Sequence, residues 1–153
     1  MTPYHFFSRW RFQTPVEPVW AALVAIERYP EWWNCVPACQ KLTAGETHVG
    51  TQFLETFRAR LPYTLRVTTT ITEMAAPHQL TFDTTGDLVG QGRIIVSRQG
   101  DWTQAEFPWD CHTTGFWMNL FAPLLRGLFV WNHDWMMAQG QLSLAGWLKK
   151  NGY

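Results

Sequence analysis

The stretch 117–150 carries one long helix whose apolar residues do not keep to one side. After Pro123, which suits the first turn of a helix, Leu124, Leu128, Trp131, Trp135, Ala138 and Leu142 follow at helical steps of four and three. That spacing makes one continuous stripe. The opposite side is not polar either, because Phe129, Met136, Met137, Leu144, Trp147 and Leu148 interrupt Arg126, His133 and Gln141. Such a helix needs apolar company on more than one face, and the rest of the chain has to supply a layer broad enough to wrap it.

The upstream sequence has the pattern of such a layer. In residues 5–13, Phe6, Ser8, Trp10 and Phe12 alternate as on the inner face of a half-buried strand. Thr14, Pro15 and Glu17 form a capping-box pattern with proline at the first helical position, which predicts a helix from about Pro15 to Ile26. Its inner face would carry Val19, Leu23 and Ile26. Pro30 limits the next segment to a short helical turn, and the adjacent Trp32 and Trp33 are expected to put at least one ring near a cavity mouth or the surface. From Val36 onward strands alternate with turn chemistry: VPACQKLT, TQFLETFRAR, TLRVTTTITEM, LTFDTT, RIIVSR and WTQAEFPWDCHTT. Runs such as Thr68, Thr69 and Thr70 favour strand through their branched side chains. GDLVGQG lacks the helix that follows a nucleotide loop and reads as a hairpin turn. The prediction is an α+β domain spanning residues 1–153, with a seven-stranded antiparallel sheet that curls around the final helix and two small helices after the first strand.

Twelve basic and twelve acidic residues cancel, so the electrostatic footprint needed to neutralise phosphates is missing and nucleic acid is not an expected partner. No secretory leader is recognisable, and no uncharged apolar run reaches the roughly 18 residues of a membrane span; a cytoplasmic protein is expected. Cys35, Cys39 and Cys111 lack zinc-ligand spacing and are expected as free, largely buried thiols. Ten Trp, ten Phe and four Tyr call for a large core, a pocket, or both.

The opening strand followed by TPVEPVWAAL, the RYPEWW segment, the VGT and LPY turns, GDLVGQG and the terminal WNHDWMMAQG together resemble the START/Bet v 1-like (SRPBCC) superfamily, and more narrowly its polyketide cyclase/dehydrase and lipid-transport group. The resemblance runs over nearly the whole chain. It implies a helix-grip fold enclosing an apolar cavity, and members that bind lipids, sterols, polyketides or hormones, a minority of which catalyse.

Strand alternation then nominates the cavity wall. Phe53, Glu55, Phe57 and Ala59 share one face of their strand, so Glu55 points inward if the phenylalanines do. A carboxylate in an apolar cavity has its ionised form disfavoured and can act as a general acid or base. The alternative is a carboxylate at the mouth or paired by an arginine, because fully buried acids are rare unless paired. On the next strand Leu65, Val67, Thr69 and Ile71 face inward. On the last, Ala105, Phe107, Trp109 and Cys111 do so, leaving Asp110 and His112 outside as a solvated pair. His133 lies opposite the Leu124–Trp135 stripe and reads as a structural or surface histidine.

The aromatic candidates for ligand contact are Phe53, Phe57, Phe82, Trp109, Trp117, Trp131 and Trp135, with Trp10 part of the same surplus. Glu55, Tyr63, Thr69 and Asn132 are the polar candidates that would orient a ligand. No serine-nucleophile motif, phosphate loop or paired-histidine metal site is present, and neither metal nor cofactor is expected. The leading expectation is a carrier or sequesterer of a hydrophobic small molecule. The alternatives are a cofactor-independent cyclase/dehydratase using Glu55, and a homodimer formed through the exposed side of the final helix.

Overall fold

A computed structural model describes residues 3–153 of the chain. The elements run β1 (Tyr4–Phe12), α1 (Val16–Val24), a 3-10 helix (Ile26–Glu31), β2 (Ala38–Lys41), β3 (Gln52–Phe57), β4 (Leu65–Ala75), β5 (Gln79–Gly86), β6 (Leu88–Gln99), β7 (Trp102–Thr113), α2 (Phe116–Leu120) and α3 (Ala122–Lys150). The strands form one curved seven-stranded antiparallel sheet in the order β1-β7-β6-β5-β4-β3-β2, and α3 completes the expected helix-grip α+β architecture. Because β1 and β2 occupy opposite edges, α1 and the 3-10 helix carry the chain from one edge to the other. Val19, Leu23 and Ile26 are buried on the way, as their spacing predicted.

The first helix starts and stops differently from its sequence pattern. Pro15 occupies the N-cap with no side-chain cap bond, and Thr14, one residue earlier, is buried with its carbonyl accepting a hydrogen bond from Thr103 Oγ1. The α-helix ends at Val24 and the chain tightens into the 3-10 turn that contains Pro30. Trp32 and Trp33 are both buried and stack with centroids 5.5 Å apart. Neither reaches the surface.

GDLVGQG serves as a hairpin turn only in its first half: β5–β6 pairing ends at Thr84–Gly90, Gly86 has φ +100°, and Leu88–Gly92 already belong to β6, where they pair with β7. Its glycines are there for close approach: a Cβ on Gly90 would lie 1.9 Å from the Asp110 carbonyl oxygen, and one on Gly92 would lie 2.4 Å from the Phe82 ring. A run of small residues reads as a turn when it serves tight strand packing.

The largest departure concerns α3. The stripe of Leu124, Leu128, Trp131 and Leu142 faces outward, with Leu124 82% and Leu142 68% exposed. The buried face is Phe129, Met136, Met137, Gly140, Leu144 and Leu148. Gly140 settles which face goes in, because the Trp10 and Trp33 rings press so close that a Cβ there would lie 2.6–2.7 Å from their atoms. The helix is seated on indole rings at the one inner position that has no side chain. No helix among the described residues is long and apolar enough to cross a membrane.

Candidate functional site

Two adjoining cavities separate α3 from the sheet. The larger, about 100 Å³, is lined by Trp10, Tyr29, Trp33, Glu55, Phe57, Thr69, Phe82, Phe107, Trp109, His133 and Met136, among others. The smaller, about 60 Å³, is lined by Tyr4, Phe6, Phe57, Tyr63, Trp109, Met118, Phe129, Asn132, His133 and Met136, among others. Phe57, Trp109, His133 and Met136 touch both and form the partition. An apolar cavity of about 150 Å³ holds benzene, so each chamber is on the scale of a single ring or less.

Glu55 reaches the larger chamber because β3 alternates Phe53, Glu55 and Phe57 inward, opposite Cys39 of β2. It is 5% exposed. Thr69 of β4 donates its hydroxyl to Glu55 Oε2 at 2.5 Å. Burial pushes the carboxyl up to about 7, and the Thr69 hydrogen bond opposes that rise. No arginine or lysine forms an ion pair with it among the described residues, so neither the mouth position nor the arginine pairing describes it.

His133 is the residue that sequence reasoning placed elsewhere. Its ring stacks on Phe6 with centroids 3.8 Å apart at 15°, and its side chain is only 10% exposed. Asp134 approaches Nδ1 to 3.6 Å, beyond hydrogen-bond length, and is itself mostly exposed. Burial therefore dominates and lowers the imidazole to about 4, against the weaker upward pull of Asp134. The histidine is neutral at pH 7.

Four buried polar atoms around the chambers have no hydrogen-bond partner among the described residues: Tyr4 Oη, Trp10 Nε1, Trp109 Nε1 and His133 Nδ1. Their neighbours are satisfied. Tyr29 Oη donates to the Leu23 carbonyl at 2.6 Å and Trp33 Nε1 to the Met136 carbonyl at 3.1 Å. An unpaired buried donor costs about 1–3 kcal/mol, so a cluster of them around one space is informative.

Of the residues nominated from sequence, Glu55, Phe57, Thr69, Phe82 and Trp109 line the larger chamber, and Phe57, Tyr63, Trp109 and Asn132 the smaller. Asn132 is also structural, since its Oδ1 accepts from the backbone N–H groups of Arg60 and Leu61. The other four lie outside the lining. Phe53 is fully buried core, Trp117 and Trp131 are about half exposed, and Trp135 packs under Arg60 at 5.1 Å. Trp131 and Trp135 follow from choosing the wrong face of α3, and Trp117 lies on the separate α2. Asp110 pairs across the strands with His5 at 2.6 Å rather than with His112. Residues that the sequence reading missed as lining include Arg93, Tyr29, Trp33, His133 and Met136. The spacing of Phe129, His133, Met136, Gly140 and Leu144 would have found the last two, being as helical as the stripe first chosen. No group of three or more His, Cys, Asp or Glu residues among the described residues could hold a metal ion.

No protein-family model and no curated protein matches the sequence. Solved structures do match the fold. The chain is similar to the ZhuI aromatase/cyclase from Streptomyces sp. R1128, with 10% identity over 99% of this chain and 97% of that one, at a TM-score of 0.80. It is similar to a START superfamily protein from Mycobacterium smegmatis, with 15% identity over 95% and 97% of the two chains and a TM-score of 0.71. A ginseng major latex-like protein 151 from Panax ginseng aligns at 8% identity over 94% and 96%, with a TM-score of 0.67. The START/Bet v 1-like fold anticipated from the sequence is therefore the fold of this chain.

Proposed function

We propose that this chain binds a small hydrophobic molecule, aromatic in character, in the paired chambers between the sheet and α3, as carrier or sequesterer. One observation carries the reading: the residues that wall a largely apolar, ring-lined space include four whose buried polar atoms have no partner among the described residues. That is the composition of a pocket that orients a ligand through a few polar contacts. The chamber sizes favour one or two rings over a long acyl chain. The fold's likeness to an aromatase/cyclase and to START proteins supports the reading without naming a ligand. Native mass spectrometry of the purified protein, followed by extraction, is the direct test. It is backed by a titration with one- and two-ring probes, for which saturable tryptophan quenching is expected; no saturable response to any of them would refute it.

A second reading rests on Glu55. A buried carboxyl held near 7 can give or take a proton at neutral pH, which supports a cyclase or dehydratase acting without a cofactor. Full turnover in a Glu55→Gln variant would remove that role.

The homodimer rests on a different observation, the exposed apolar face formed by Phe116, Leu120, Leu124, Leu128 and Trp131. Patches of this kind mark interaction surfaces. Sedimentation equilibrium tests it, and a monomer at every concentration would exclude pairing.

A further inference from the structure

We propose that the ligand of the larger chamber is an organic cation, an amine carried on a small ring, with its ammonium held by the Glu55 carboxylate. This rests on the reading of the chamber as a ligand site and gives that ligand its chemistry. Thr69 occupies Glu55 Oε2 and leaves Oε1 for a partner. No cation forms an ion pair with Glu55 among the described residues, and Arg93, the one that lines the chamber, is exposed at its edge. Lys41 lies 3.8 Å from Glu27 and over the Phe53 ring, Arg60 lies over Trp135 and Arg126 over Tyr4. The same chamber is lined by Trp10, Tyr29, Trp33, Phe107 and Trp109, and aromatic ring faces carry negative potential and attract cations.

An acid and a ring of aromatic side chains are both complementary to an ammonium and both repel an anion. A neutral ring would fill the space beside a carboxyl that burial keeps protonated, whereas an ammonium brings the charge that its ionised form needs. Burying a charge is costly unless it is paired, so pairing favours the ligand that brings the missing charge.

The titratable and charged groups facing this site are Tyr29 from the 3-10 helix, Cys39 from β2, His133 from α3 and Arg93, exposed on β6 at the chamber's edge. Glu27 lies behind Tyr29 and Cys39. Burial raises Tyr29 well above its usual range and Cys39 to about 12, and lowers His133 to about 4. Glu55 is therefore the facing group that changes charge between pH 5 and 8, and amine binding draws on its ionised form.

The test is calorimetric titration with benzylamine, benzyl alcohol and benzoate, three probes of nearly one shape. At pH 7.5 benzylamine should bind at least about tenfold more tightly than benzyl alcohol, with benzoate weakest. In Glu55→Gln that preference should vanish. On the wild-type protein, benzylamine affinity should fall about tenfold for each pH unit below 7 while that of benzyl alcohol stays level; this series decides the matter even if the variant folds poorly. Benzyl alcohol or benzoate binding as tightly as benzylamine would overturn the amine assignment and leave the chamber a ligand site. No binding of any of the three would overturn both.

Discussion

Glu55 and His133 line one chamber and are displaced in opposite directions, which predicts a compensation that each single variant should unmask. Burial moves the Glu55 carboxyl from 4.5 to about 7. An acid raised on folding contributes stability below its unfolded pKa and loses it as the pH rises through the folded one, so this contribution disappears between about pH 4.5 and 7. His133 moves from 6.5 to about 4. A base lowered on folding contributes stability above its unfolded pKa and loses it as the pH falls through the folded one, so this contribution disappears from about pH 6.5 down to 4. Each displacement corresponds to about 3 kcal/mol, at about 1.4 kcal/mol per pH unit. Between pH 4.5 and 6.5 the two slopes cancel, and both side chains are neutral there, so their charges do not couple. The perturbations are Glu55→Gln, His133→Phe, which keeps the stack on Phe6, and the double variant. The assay is urea unfolding followed by tryptophan fluorescence across pH 4.5–7, each variant compared with wild type at the same pH so that other carboxylates drop out. Relative to wild type, Glu55→Gln should gain about 3 kcal/mol as the pH rises, whatever the constant cost of its unpaired amide. His133→Phe should lose about as much, and the double variant should show neither trend. A Glu55→Gln difference that stays constant with pH would refute the claim that the folded carboxyl is held protonated.

Three glycines give sharper tests of packing. Gly140→Ala drives a Cβ into the Trp10 and Trp33 rings and should cost about 1–3 kcal/mol net of helix propensity. Gly146→Ala, with open space around it, should gain about 0.5–1 kcal/mol on the same helix; chemical denaturation reads both. Gly92→Ala meets the tip of the Phe82 ring at 2.4 Å and should push it into the larger chamber, weakening probe binding several-fold while far-UV circular dichroism stays native. Leu124→Glu, together with Leu128→Glu, should reduce any self-association seen in sedimentation with little change in unfolding midpoint, because both side chains are exposed.

The strands were legible because each buries one face, so alternation alone sorted Phe53, Glu55 and Phe57 from Leu54 and Thr56, and Val67, Thr69 and Ile71 from Arg66. The same alternation puts Glu55 and Thr69 on the inner face of neighbouring strands. The faces of α3 were not legible, and the reason is physical. A helix with two apolar stripes has no preferred side until the surface it meets is known, and hydrophobicity favoured the stripe that carries Leu124, Trp131 and Leu142, which faces outward. What selects the other face is shape. Trp10 of β1 and Trp33, from the segment between the 3-10 helix and β2, present two large indoles with centroids 5.5 Å apart and inclined at 72°, and Gly140 lets the backbone approach them. Once Gly140 is seated, the helical repeat carries Met136 and His133 over the chamber and turns Trp131 and Trp135 away from it. The site's one buried imidazole is thus placed by a glycine seven residues along the chain, which the sequence shows only as a gap in a weaker stripe.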